Sequence, residues 1–192
     1  NSASFADYKK FIEQNEDYPR INRIRYLAEG KIYLRDNSPT SIINWFEKNP
    51  PLGGLGKIKL AEALLEQGKT SEVNSIIKEA WVTAEIKKND LGYYRAKFKK
   101  FLTADDHLKR ADYLAWERKY WDLKRMLKYL PKDERALYNA RQILMSNSYG
   151  VDNAIAKGPA HLKKDVGLEY DRLRWRNRRG RLESSLEILY QN

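Results

Sequence analysis

The stretch LAEALLEQGKTSEVNSIIKEAWVTA, residues 60–84, decides the fold. Its apolar residues recur three or four positions apart, which is the spacing of an amphipathic helix. Gly68 marks a break between two such stripes. The stripes are Ile58, Ala61, Leu64 and Leu65 before the break, and Val73, Ile76, Ile77, Ala80, Trp81 and Ala84 after it. The stretch therefore predicts two helices joined in one hairpin.

The rest of the chain shows the same helical spacing, and no convincing period-2 alternation bounded by hairpin turns interrupts it. Ser38-Pro39 has the pattern of an N-cap and first helical residue. Residues 103–106, Thr-Ala-Asp-Asp, have the spacing of a capping box with Asp in place of Glu. Two last helices are predicted over 166–178 and 182–190. The predicted fold class is all-α.

A weak internal repeat emerges when three helix breaks, at Gly68, Arg118 and Gly180, are aligned. An apolar pair follows each break; the pairs are Ile76-Ile77, Met126-Leu127 and Ile188-Leu189. Stacked helical hairpins produce this pattern, because one hairpin cannot bury both of its faces. We therefore predict a single helical-repeat domain over residues 1–192, an α-solenoid with irregular repeats that forms a curved right-handed superhelix.

The composition of the chain excludes several kinds of functional site. It has 192 residues and no Cys, which excludes a disulfide framework, a thiolate nucleophile and a cysteine zinc site. Its formal net charge of +11 favours an anionic partner, and nucleic acid, anionic lipid and peptidoglycan all qualify. No apolar run is long enough to span a bilayer. The chain begins at Asn1, so a processed or excised product is expected.

Four sequence blocks, taken together, resemble the soluble lytic murein transglycosylases of the alphaproteobacterial type. The first block holds Phe11-Ile12, Asp17-Tyr18-Pro19, Arg23-Ile24-Arg25 and Ala28-Glu29. The second holds Leu60-Ala61, Leu64-Leu65, Gly68 and Ala80-Trp81. The third holds Phe101-Leu102-Thr103, Asp106-His107, Arg110, Asp112 and Leu114-Ala115-Trp116. The fourth holds Gly167 to Arg172 with Trp175-Arg176. They follow the family's order.

The resemblance implies a periplasmic scaffold that positions a peptidoglycan strand and the catalytic domain of the same polypeptide. That family cleaves the bond between N-acetylmuramic acid and N-acetylglucosamine, with one Glu serving as acid and base and a 1,6-anhydro product. The goose-lysozyme-like domain that carries this Glu in a Glu-Ser motif has no counterpart here. Glu183-Ser184 lies in the last predicted helix and is interpreted as a solvated face. No catalytic, cofactor-binding or metal-binding residue is expected in these 192 residues.

The most concentrated basic feature surrounds Trp175. It consists of Arg172, Arg174, Arg176, Arg178, Arg179 and Arg181. Guanidinium groups suit carboxylates and phosphates, and an indole can stack on a flat ring. A contact with stem-peptide carboxylates of peptidoglycan is one hypothesis, and a solvated helix with one buried Trp is the blander one. Two rival functions stay open: a helical-repeat protein–protein scaffold, and, with less support, a basic nucleic-acid-binding module.

Several other side chains are expected to be structural. The tryptophans Trp45, Trp81, Trp116 and Trp121 lie in or beside apolar stripes, which indicates core positions. Asp106, His107, Arg110 and Asp112 could form a hydrolytic cluster, but a cap and pairs on a helix surface explain them better. His107 and His161 lack a second ligand at metal-binding spacing. Lys97, Lys99 and Lys100 are expected to form a solvated patch.

Overall fold

A computed structural model describes residues 3–146 and 150–180, and these fold into helices with no strand among them, which confirms the all-α prediction. The α-helices are α1 (Phe5–Gln14), α2 (Ile21–Glu29), α3 (Pro39–Lys48), α4 (Gly54–Glu66), α5 (Thr70–Thr83), α6 (Leu91–Lys97), α7 (Ala104–Trp116), α8 (Tyr120–Met126), α9 (Lys132–Leu144), α10 (Val151–Ala156) and α11 (Val166–Arg178). The chain divides into two compact units, Asn1–Leu102 and Thr103–Asn192. The single domain over 1–192 and its superhelical form stay predictions.

Helix α4 is the centre of the first unit, where it packs against α2, α3 and α5. It is buried on most of its circumference, so its sequence is less amphipathic than that of its neighbours. Ile58, Ala61 and Leu64 face the core, as the stripe predicted. On α5, Val73 and Trp81 are buried against them. The predicted hairpin of two helices is thereby confirmed.

The aligned breaks of the internal repeat share one backbone conformation. Gly68, Arg118 and Gly180 all have positive φ, at 73°, 56° and 68°. At the first two breaks, the amide of the following residue donates to a carbonyl five positions back, Lys69 to Leu64 at 3.0 Å and Lys119 to Leu114 at 2.9 Å. This is the Schellman ending of a helix. The alignment of Gly68 with Arg118 was therefore structurally correct. Ile188-Leu189 lies outside the described residues.

Helix α9 occupies the centre of the second unit and contacts α7, α8, α10 and α11. The predicted capping box is present, since the Thr103 hydroxyl accepts from the Asp106 amide and the Asp106 carboxylate accepts from the Thr103 amide. Pro131 is the N-cap of α9. Helix α11 matches its predicted bounds, and the Asp165 carboxylate caps it. The predicted helix over 182–190, with Glu183-Ser184, lies outside the described residues.

Several predictions about individual side chains were wrong. Trp116 and Trp121 are not core residues, because they are 45% and 62% exposed. Arg110 is not on a helix surface; it is buried, and burial lowers its pKa to about 10. Lys97 is not simply a solvated cation, because its ammonium pairs with the carboxylates of Glu62 at 3.4 Å and Glu66 at 2.8 Å. Trp45 and Trp81 are buried as predicted.

Lys59 is a buried cation in the core of the first unit. It is only 2% exposed, and its ammonium lies 4.0 Å from the ring centroid of Tyr33 and 5.3 Å from that of Tyr94. The aromatic faces attract the cation, but two rings replace only part of its hydration. Burial lowers the pKa of Lys59 to about 8, although the carboxylates of Glu62 and Asp90 oppose the change.

Replacing Gly68 with Ala should lower the free energy of unfolding by about 1 kcal/mol, because an L-residue rarely adopts its φ of 73°. No atom lies within 4 Å of the added methyl group, so the cost is conformational alone. Gly92 is the matched control, since its added Cβ also meets open space but its φ is not in the left-handed region. Gly92→Ala should stabilise by about 0.5 kcal/mol. Chemical denaturation measures the free energy of unfolding of both variants. Equal changes in the two would contradict a cost that comes from the positive φ of Gly68.

Lys59→Met should change how stability depends on pH. Because the folded-state pKa of Lys59 is about 8 and its ordinary value is 10.5, the unfolded chain binds more protons between these values. The parent protein should therefore gain about 2 kcal/mol relative to Lys59→Met between pH 7.5 and pH 9.5. Urea denaturation of both proteins at the two pH values tests this. A difference that does not change with pH would contradict the prediction.

Candidate functional site: the aromatic and arginine surface of the second unit

A buried arginine joins three helices of the second unit. Arg141 on α9 is 1% exposed, and its Nε donates to Asp171 Oδ2 on α11 at 2.9 Å. Its Nη1 donates to Asp112 Oδ1 on α7 at 2.8 Å. Burial alone would lower the pKa of Arg141, but its hydrogen bonds to Asp171 and Asp112 outweigh burial and raise it. The guanidinium is thus held charged and in one orientation.

Gly167 makes this arrangement possible. A Cβ at this position would collide with the guanidinium of Arg141, so only glycine lets the first turn of α11 approach α9 so closely. Asp171 lies four residues further along α11, which places its carboxylate on the same face as Gly167. Asp171 is only 2% exposed. The spacing of glycine and aspartate on α11 therefore determines where this helix packs.

Two further arginines bind the C-terminal end of α9. Arg178 donates from Nη1 to the Met145 carbonyl at 3.1 Å and from Nη2 to the Leu144 carbonyl at 2.5 Å. Arg118 donates to the Met145 carbonyl at 3.4 Å and pairs with Asp171 Oδ1 at 3.6 Å. These carbonyls have no partner within the helix, so the two cations satisfy them. The contacts also explain why Arg118 occupies a left-handed position that favours glycine.

An exposed aromatic pair lies directly over the buried ion pairs. Trp116, at the end of α7, is 45% exposed, and Tyr170 on α11 is 40% exposed. Their ring centroids are 5.3 Å apart at an interplanar angle of 38°. The Arg141 guanidinium carbon lies 5.0 Å from the Trp116 centroid. Arg174 donates to the Tyr170 hydroxyl at 2.8 Å and lies 5.5 Å from its ring centroid. We call Trp116, Tyr170 and Arg174 the aromatic ledge.

The arginines predicted as a contact surface make different contacts in the structure. Arg174 belongs to the aromatic ledge, whereas Arg178 holds the end of α9. Arg172, Arg176 and Arg179 are half-buried, and Arg179 lies 4.5 Å from the Trp175 ring centroid. Trp175 itself is buried, as the blander interpretation predicted. Arg181 lies outside the described residues.

Sequence reasoning missed the main members of this site. Trp116 was assigned to the core, and neither Tyr170 nor Arg141 was predicted to be a site residue. Helix geometry offered one signal: Trp116 stands five positions after Ala111, which turns it away from the buried stripe of α7. Tyr170 stands next to buried Asp171 and is rotated by about 100° from it. No signal in the sequence identifies the partners of Arg141, because they come from helices about 30 residues away.

The ledge carries groups that could bind a ring and an anion. Its aromatic faces can pack on a flat ring, and the Arg174 guanidinium can pair with a carboxylate or phosphate. Asp171 is engaged by Arg141 and Arg118, so its carboxylate is not free to act on a ligand. Within residues 3–146 and 150–180, no group of three or more His, Asp or Glu side chains is placed to hold a metal ion.

Asp171→Asn should destabilise the second unit by about 3 kcal/mol, because it leaves the buried Arg141 with only one carboxylate. Asp105→Asn is the matched control: its carboxylate pairs with Lys109 at 2.7 Å, but both side chains are mostly exposed. That change should leave the unfolding temperature nearly unchanged, because solvent screens an exposed ion pair. Thermal unfolding of both variants measures the difference. An equal loss of stability in the two variants would show that burial does not increase the contribution of Asp171.

Comparison with known proteins finds no matching family model, curated protein or solved structure. Among the described residues, no helix is long and apolar enough to cross a membrane. The resemblance to the transglycosylases therefore depends on the four sequence blocks quoted above, and the functional proposal depends on those blocks and on the geometry of the aromatic ledge.

Proposed function

We propose that this chain is the non-catalytic helical scaffold of a peptidoglycan lytic transglycosylase and that it holds the cell-wall strand on the aromatic ledge. The observation that carries the proposal is the exposed pair of Trp116 and Tyr170 with Arg174 bonded to the tyrosine hydroxyl. The scaffold would present the strand to a catalytic domain of the same polypeptide, in the periplasm. The chain itself would bind glycan and leave the cleavage to that domain.

The chemistry of peptidoglycan matches the ledge in two respects. A sugar ring presents a flat face of C–H groups, and an aromatic face can pack against it while polar edges stay hydrated. Stem peptides carry carboxylates, with which an arginine can form two parallel hydrogen bonds. The net charge of +11 would attract such a polyanion from a distance. A strand of alternating rings and carboxylates therefore suits the mixture of aromatic and cationic groups.

The residues of the resemblance gather around this ledge. Asp112 and Trp116 come from the third sequence block, whereas Tyr170 and Asp171 come from the fourth. The two blocks are separated along the chain, yet Arg141 contacts Asp112, Trp116 and Asp171 together. Motif residues that form one supported surface suggest a shared purpose. This convergence supports the proposal independently of any single motif.

A protein–protein scaffold is the second candidate, and Trp121 favours it. This side chain is 62% exposed on α8, with Lys124 5.3 Å from its ring centroid. Exposed tryptophans are common anchors of protein interfaces. Under this alternative, replacing Trp121 would matter more for partner binding than replacing the aromatic ledge would.

Tyr170→Ala combined with Arg174→Ala should reduce co-sedimentation with purified peptidoglycan sacculi at least fivefold, since both an aromatic contact and a cation are lost. Trp121→Ala combined with Lys124→Ala is the matched control, because it also removes one exposed aromatic residue and one cation. Pelleting of the parent protein should weaken as salt is raised, because salt screens the carboxylates.

Three outcomes decide between the candidate functions. If the ledge variant no longer pellets with sacculi and the control variant pellets normally, the result supports a ledge that holds glycan. Absence of pelleting at low salt, or equal losses in both variants, would contradict it. Tighter binding to duplex DNA than to sacculi, with a steep salt dependence, would instead favour the nucleic-acid alternative. Circular dichroism of each variant confirms that the helices are intact.

A further inference from the structure

A polar groove of about 580 Å³ lies between α1 and α3 in the first unit. This volume is within the range of small-molecule sites, about 300 to 1,000 Å³. Its lining includes one indole, two amide side chains and two carboxylates, which belong to Trp45, Asn44, Asn49, Glu13 and Glu16. The aromatic ledge lies in the other unit, so the groove is a separate feature.

The floor of the groove is apolar and firmly packed. Trp45 is buried for the most part and meets Phe5 edge to face, with ring centroids 5.4 Å apart. Ile12 of α1 lies beside it and is also buried. Because core packing holds these side chains, the floor does not have to be ordered when a ligand binds. It offers a small apolar contact at the bottom of a polar wall.

The wall combines fixed polar groups with available ones. Asn49 donates to the Trp45 carbonyl at 3.2 Å, and Thr40 accepts from Gln67 at 2.9 Å. In contrast, the side chains of Glu16, Asn44 and Lys48 make no hydrogen bond or ion pair with any residue of 3–146 or 150–180. The Asn44 amide can both donate to and accept from a hydroxyl group, whereas the Glu16 carboxylate accepts and the Lys48 ammonium donates. These three side chains are therefore available to bind a ligand.

The groove is electrically balanced, although the chain as a whole is basic. Glu13 and Glu16 contribute two negative charges, and Lys9 and Lys48 contribute two positive ones. A polyanion such as nucleic acid would meet repulsion from the carboxylates without a net attraction. A neutral molecule with many hydroxyl groups would use donors and acceptors of both kinds. The lining thus selects for an uncharged polar ligand.

We propose that this groove binds an uncharged saccharide of one or two rings. The apolar floor at Trp45 would contact the ring face, and Asn44, Glu16 and Lys48 would bind its hydroxyl groups. The site goes beyond the proposed function, since the groove could bind saccharide whether or not the aromatic ledge holds a strand.

The test is a titration of the ¹⁵N-labelled chain with N,N′-diacetylchitobiose, followed at the indole N–H signal of Trp45, which Trp45→Phe identifies. We expect a saturable shift in the millimolar range. Asn44→Ala should weaken binding about fivefold through the loss of its hydrogen bonds. Glu47→Gln is the matched control, because Glu47 is exposed on the same helix but outside the groove.

Each result has a definite meaning. A saturable Trp45 shift that Asn44→Ala weakens and Glu47→Gln leaves unchanged supports the groove site. No saturation up to the solubility of the disaccharide, or an equal response in both variants, overturns it. Asn44 is exposed, so its variant should keep the thermal unfolding temperature of the parent chain. The ledge variant should retain the Trp45 shift, which separates failure of this site from failure of the proposed function.

Discussion

The Arg141 guanidinium is the interaction on which the second unit depends. It joins α7, α9 and α11 through Asp112 and Asp171, and Gly167 gives it the space it occupies. An ion pair this deeply buried stabilises less than an apolar core of equal volume, because both charges lose their hydration. Its contribution is geometric, since the planar guanidinium directs its Nε toward Asp171 on α11 and its Nη1 toward Asp112 on α7.

That arrangement also has a consequence at the surface. The fixed position of α11 brings Tyr170 against Trp116, and Arg141 lies within cation–π distance of the indole. Both aromatic rings therefore contact packed neighbours in the absence of a ligand, although each is substantially exposed. A surface that is already ordered loses little conformational entropy on binding. The buried charges thus connect the stability of the fold to the proposed function of the ledge.

Local features of the structure could be predicted, whereas long-range pairing could not. The capping box at Thr103, the bounds of α11 and the shared turn at Gly68 and Arg118 depend on residues a few positions apart. The partners of Arg141 and the position of Lys97 depend on which helices meet, and composition carries no such information. Trp116 was misplaced for a related reason: its hydrophobicity suggested a core, but its angle on α7 directs it outward. The groove at Trp45 was not foreseen either.

A helical scaffold that holds a polymer needs affinity for the repeating unit rather than for one end. Under the proposed function, the aromatic ledge would contact a sugar ring and a carboxylate side by side, and a peptidoglycan strand repeats both groups. The most direct test is calorimetric titration of the chain with soluble glycan strands, either intact or stripped of stem peptides by an amidase. The intact strands should bind about tenfold more tightly than the stripped strands at low salt, and this difference should disappear as salt screens the carboxylates. Equal affinity for both strands at low salt, or no binding of either, would contradict the proposed function.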